Sequence, residues 1–170
     1  PHEPLRRQRQ MCIRDRYIVF VELLGKHAQR DAQDLQDACA HGFEQNWIAD
    51  ACFFDTAAAQ EECWKIREDV AALELHAPHN QHFDISIPIG EIGKIMNDIL
   101  SELHHIEGVL GAYPFGHVAD GNMHLIVGKE NNSKQLTKQI SDIVYQPLAA
   151  VKGSISVSYT HLTLPTKWIV

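Results

Sequence analysis

The segment Phe115-Gly116-His117-Val118-Ala119-Asp120-Gly121-Asn122-Met123-His124 brings two imidazoles, a carboxylate and a carboxamide into ten consecutive residues. Asp120-Gly121 is a strong signal for a two-residue hairpin turn, because Asp and Gly tolerate the positive φ that such turns require. In that register Ala119 opposes Asn122 and His117 opposes His124. Directly opposed residues have Cβ atoms ~4.5–5.5 Å apart on one face, close enough for two imidazoles to hold one divalent metal ion. A catalytic metal site needs at least one more protein ligand, and the hairpin supplies none on that face. The competing reading is a pair of surface or hydrogen-bonded sheet histidines, which a chain with 11 histidines can produce by chance. Asp120 and Asn122 read either as turn formers or as polar groups of a site.

A second group is Trp64-Lys65-Ile66-Arg67-Glu68-Asp69, in which Arg67 is the only arginine beyond Arg30. A guanidinium forks onto an organic carboxylate with two parallel hydrogen bonds, so Arg67 reads as a substrate clamp. Local acids (Glu61, Glu62, Glu68) offer it an equally ordinary partner on a helix. His76, His79 and His82 crowd one loop, and His104-His105 lie on the polar side of a helix, where solvated imidazoles are the default reading.

The elements that would position these groups follow from periodicity. Tyr17 to Leu24 is β-branched and aromatic and stops at Gly25, so it reads as a strand. Residues 28–44 read as an amphipathic helix, Trp47 to Phe54 as a second apolar run of strand type, and 55–75 as a helix capped by Asp55. Phe83 to Pro88 alternates apolar and polar, as a half-buried strand does. The clearest helix carries Ile92, Ile95, Met96, Ile99, Leu103 and Ile106 on one face, with Gly108 beyond its end. Val109 to His117 and Asn122 to Val127 read as two strands, and Ser133 to Val144 as a last helix. The order β-α-β-α-β-α-β-β-α predicts an α+β fold: a ferredoxin-like layered domain with a mainly antiparallel sheet and helices packed on one face. No Gly-rich phosphate loop follows any strand, which disfavours a doubly wound parallel sheet.

Composition limits the partners. The 170 residues carry 15 basic and 22 acidic side chains, net −7, but five arginines fall within the first 16 residues. Residues 17–156 alone hold 9 basic and 20 acidic residues, net −11. A surface of that sign repels phosphate backbones, so neither nucleic acid nor an anionic membrane is an expected partner. No apolar run is long enough for a transmembrane segment, and the Arg-rich start lacks a secretory h-region. Cys12, Cys39, Cys52 and Cys63 form no Cys-x-x-Cys pair, which predicts reduced thiols in a cytoplasmic protein, one that could also be peripheral to an inner membrane.

At this point the residues carry a resemblance. Trp64-Lys65-Ile66-Arg67-Glu68, Phe83-Asp84-Ile85-Ser86-Ile87-Pro88, the Phe115–His124 segment and Lys152-Gly153-Ser154-Ile155-Ser156, in this order and spacing, resemble the C-terminal domain of FAD-linked oxidases of the D-lactate, D-2-hydroxyglutarate and glycolate dehydrogenase group. The resemblance spans residues 17–156. It implies a cap domain that closes over FAD and forms the substrate site for a small 2-hydroxy acid, with the flavin held mainly by a separate N-terminal domain. It also implies that His117 and His124 hold zinc or manganese and that Arg67, His82 and Asn122 contact substrate. In this family a lysine often stands where His82 is. The family pattern continues after Gly153-Ser154-Ile155-Ser156 with Ala-Glu-His-Gly, the third metal ligand and the proposed base, whereas this chain reads Val157-Ser158-Tyr159-Thr160-His161. That tail, like Met11-Cys12-Ile13-Arg14-Asp15-Arg16, is similar to translated sequencing adapter, so residues 1–16 and 157–170 are expected to be non-native and no catalytic base is assigned. The expectation is an inactive fragment of a flavin-dependent 2-hydroxy acid dehydrogenase. Two other classes stand beside it: a metal-dependent hydrolase using His117, Asp120 and His124, and a ligand-binding ferredoxin-like regulatory module.

Overall fold

Alternating Phe83, Ile85 and Ile87, and Met123, Leu125 and Val127, can bury one side of a sheet only if another layer covers it. In the computed structural model that layer is a pair of helices. The structure describes residues 17–23, 25–69, 72 and 75–155, so the expectations for 1–16 and 157–170 lie outside the described residues. The chain divides into two units, Pro1–Asp55 and Thr56–Val170.

In the first unit the expected helix is present as α1 (Ala28–Glu44). It stops where Asn46 enters the left-handed region at φ 59° and the Trp47 amide donates back to the Gly42 carbonyl at 2.9 Å. The two strands expected around it are absent: the described residues of 17–24, and all of 47–54, take no ladder. β-branched and aromatic composition favours a strand only where a neighbouring strand supplies backbone partners, and none pairs with these segments among the described residues. Ile18, Val19 and Trp47 are accordingly well exposed.

The second unit opens with α2 (Ala57–Glu68). Its cap is Thr56 rather than Asp55, the Thr56 hydroxyl accepting from the Ala59 amide at 3.3 Å, and it breaks after Glu68, with Ala72, Leu75 and His76 again helical among the described residues. There follow β1 (Gln81–Ser86), a 3-10 turn (Ile89–Glu91), α3 (Ile92–His104), β2 (Val109–His117), β3 (Asn122–Lys129), α4 (Lys134–Ala150) and β4 (Ser154–Ile155). This is a β-α-β-β-α-β succession, and the sheet order β2-β3-β1-β4 is antiparallel throughout, as the ferredoxin-like expectation requires. Among the described residues there are thus four helices and a four-stranded open sheet.

Ile95, Met96, Ile99 and Leu103 of α3, and Leu136, Ile140, Val144 and Leu148 of α4, pack on the face that carries Phe83, Ile85, Met123, Leu125 and Val127. Burial of each such side chain contributes about 1.5–3 kcal/mol. α4 runs past the expected Val144 and through Pro147. A proline in the last turn forfeits one helical hydrogen bond there, and Leu148 beyond it is buried in the core. β4 was not expected from the sequence; its two residues pair with Ser86 and Ile85 along the outer edge of β1.

Candidate functional site

With both core helices on one face, the other face of the sheet is the surface on which a hairpin can display chemistry. The ladder sets its side chains in rows. His117, Asn122 and Ser86 form one; Phe115, His124 and Asp84 the next; Tyr113, Ile126 and His82 the third.

This register corrects the expected one. His117 pairs with Asn122, not with His124, and the direct neighbours of His124 are Phe115 and Asp84. The cause is the loop. Val118–Asp120 forms a 3-10 turn, Gly121 takes φ 77°, and the Asp120 carboxylate accepts from the Asn122 amide at 2.9 Å. The connection therefore has four residues where Asp-Gly alone predicts two. A Cβ on Gly121 would approach the Ile87 carbonyl oxygen to 2.5 Å, so close passage of the chain and the positive φ both require glycine here. The change is two residues, which preserves the face. His117 and His124 remain on one side of the sheet but stand diagonally, with Cα atoms roughly 7–8 Å apart by standard ladder geometry.

Asp120 thus acts as a turn former. Asn122 is part of the site row, and its Oδ1 is buried without a hydrogen-bond partner. Asp84, overlooked in the sequence, is in the same condition: its side chain is 10% exposed, Oδ1 is buried and unpartnered, and the His124 Nδ1 lies 3.7 Å away. The His124 ring also lies against Phe115, centroids 5.2 Å apart and planes tilted by 30°. In sequence, Asp84 reads as one more polar residue on the solvent side of an alternating strand; only the β1–β3 register reveals its partner.

Arg67 arrives from α2. Its Nη2 donates to the His117 Nε2 at 3.0 Å, which requires that nitrogen to carry a lone pair, and its Cζ is 5.9 Å from the centre of the Trp64 ring. Two of the local acids that competed for it in sequence are engaged elsewhere: Lys65 binds Glu62 at 2.6 Å and Glu61 at 3.4 Å. The structure therefore brings Arg67, His117, Asn122 and His124 to one region. It does not bring His82 there. His82 stands at the far end of β1, its Nε2 bonded to the Asn80 carboxamide oxygen at 3.0 Å, roughly 16 Å from His117 by strand rise and spacing. Among the described residues no three His, Cys, Asp or Glu side chains gather closely enough to hold a metal ion.

Residues 7–158 match the family model "FAD linked oxidases, C-terminal domain". The chain belongs to that family. This FAD linked oxidase C-terminal domain is similar to D-2-hydroxyglutarate dehydrogenase, mitochondrial, of Arabidopsis thaliana, 26% identical over 145 residues that make up 85% of this chain and 25% of the relative. It is also similar to D-2-hydroxyglutarate dehydrogenase of Xanthomonas citri pv. viticola, 27% identical over 149 residues (84% and 31%). A third relative is a putative D-lactate dehydrogenase, mitochondrial, of Schizosaccharomyces pombe, 24% identical over 155 residues (84% and 29%). The domain spans about a quarter to a third of the length of these relatives. No helix among its described residues is long and apolar enough to cross a membrane.

Proposed function

We propose that this domain is the substrate-binding cap of a flavin-dependent D-2-hydroxy acid dehydrogenase of the cytoplasm, one that could also be peripheral to an inner membrane, and that the isolated chain transfers no hydride. The observation that carries the reading is the Arg67–His117 contact: a permanent cation from α2 set 3.0 Å from an imidazole of the hairpin, on the face opposite the packed helices. A guanidinium there offers an incoming carboxylate a charge-assisted pair, and the site row of His117 and Asn122 places hydrogen-bonding groups beside it for the α-hydroxyl.

On this reading the flavin is held mainly by a separate N-terminal domain. His117 and His124 are the candidates to hold zinc or manganese. Their common face and the unpartnered, buried Asn122 Oδ1 supply donors of the right kind, while Arg67 must give up His117 first. When bound, these groups supply hydride acceptance and Lewis acidity. The chain's own residues bind and orient: Arg67 fixes the carboxylate end of the substrate, Asn122 and the two imidazoles face its hydroxyl end, and the sheet keeps them in register. His82, roughly 16 Å from His117, would meet a distal group of the substrate rather than the carboxylate held at Arg67.

The test is calorimetric titration of the full chain with D-lactate and D-2-hydroxyglutarate. Arg67→Met is expected to weaken binding about 10- to 100-fold, the scale of a hydrogen bond to a charged group, with the melting temperature unchanged. Equal affinity in the variant and the parent would overturn the reading.

A further inference from the structure

We propose that Asp84 is the positioning residue for His124: its carboxylate holds the imidazole with the proton on Nδ1, so that Nε2 turns its lone pair toward the ligand of the site. The carboxylate is nine-tenths buried and its Oδ1 has no hydrogen-bond partner. A buried carboxylate oxygen left in that condition is costly, and native structures satisfy such atoms. The donor within reach is the His124 Nδ1, at 3.7 Å. That separation is too long for a hydrogen bond, and a ring displacement of about 1 Å closes it.

The ladder sets the two side chains next to one another on one face. Asp84 and His124 are direct partners in the β1–β3 ladder, so their backbones are fixed opposite one another. Phe115, the partner of His124 on its other side, lies beside the ring, centroids 5.2 Å apart and planes tilted by 30°. The arrangement is the carboxylate–imidazole pair that sets ring orientation and basicity wherever a histidine must present one defined nitrogen. His117 is held differently, through its Nε2 by Arg67, so the two imidazoles are prepared in non-equivalent ways. The ligand-facing role of His124 rests on the function proposed above; the tautomer does not.

The experiment separates the two. Ring-nitrogen NMR of the 15N-labelled full chain, followed upward in pH until the His124 signals stop changing, reports which nitrogen of the neutral ring is protonated. The parent is expected to show Nδ1–H. Asp84→Asn, which keeps the shape and removes the charge, is expected to shift the population toward Nε2–H while the melting temperature holds or rises. Ser86→Ala, on the same strand and face, should change neither. An unchanged His124 tautomer in Asp84→Asn would sink the proposal. Zinc titration adds a second reading: Asp84→Asn is expected to lose about 10- to 100-fold in affinity, and His124→Ala at least as much. Zinc affinity sensitive to His124→Ala yet unaffected by Asp84→Asn also overturns the proposal. Zinc binding indifferent to His124→Ala removes the metal from the functional reading, and the NMR result still decides Asp84.

Discussion

At the scale of single residues, the helix-packed side of the sheet holds a charged group with no role in the site. Lys129 is 3% exposed, and its ammonium donates to the Thr137 hydroxyl at 3.1 Å and the Gln81 side-chain carboxamide oxygen at 3.5 Å, both neutral acceptors. Burial lowers its pKa from the ordinary 10.5. The unfolded chain therefore binds more protons between that lowered value and 10.5, and stability rises with pH through this window; below it the penalty is present in full. Tyr145, raised above 10.0 by burial, acts in the opposite sense at the alkaline end, since the unfolded chain releases that proton first. Lys129→Met should remove the lysine's contribution and leave the fold within about 1 kcal/mol of the parent, or more stable, at neutral pH. Urea titrations of both proteins across the window check this. A parent and variant that run parallel in pH would show that Lys129 is not desolvated.

At the scale of elements, the most consequential piece is the loop from Val118 to Gly121, because it sets which residues become neighbours. Gly121→Ala must place a side chain at φ 77° and 2.5 Å from the Ile87 carbonyl oxygen. The expected cost is about 1–3 kcal/mol, read as a lower urea midpoint with an unchanged slope. A loss much below that would mean the loop had adopted another turn. Much of this level was legible beforehand. The i, i+3, i+4, i+7 spacing of Ile92, Ile95, Met96 and Ile99 reported α3, and the alternation at Phe83 to Ile87 reported β1, because each pattern matches the face that is buried. What could not be read was anything set by a partner distant in sequence. The strands expected at 17–24 and 47–54 rested on composition without a ladder. β4 is only two residues long. The commonest Asp-Gly turn predicts the tighter register, whereas the Asp120 carboxylate accepts from the Asn122 amide in a wider loop. Arg67 and Asn122 could be named as candidates from their chemistry, whereas Asp84 could not, because its partner lies 40 positions downstream.

On the scale of the whole molecule, the function proposed above makes the domain one part of a larger active centre. In that reading Arg67 binds the carboxylate of a hydroxy acid beside two imidazoles carried by the sheet, and the electrons go to a flavin held outside this domain. Purified alone, the chain should retain no flavin: absorbance near the flavin bands should be at background, and stoichiometric FAD in the pure protein would force a different division of labour between this domain and the remainder of its relatives.

The two-residue strand β4 runs antiparallel to β1, Ser154 beside Ser86 and Ile155 beside Ile85, so its own direction is back toward the end at which β1 began. Tension drawn between those two ends would peel β4 from the edge one rung at a time rather than slide it lengthwise against its neighbour. Such a seam yields at low force while the three longer-laddered strands stay joined. Under such a load the edge gives first at this tab, leaving the histidine-bearing hairpin mechanically shielded two strands away.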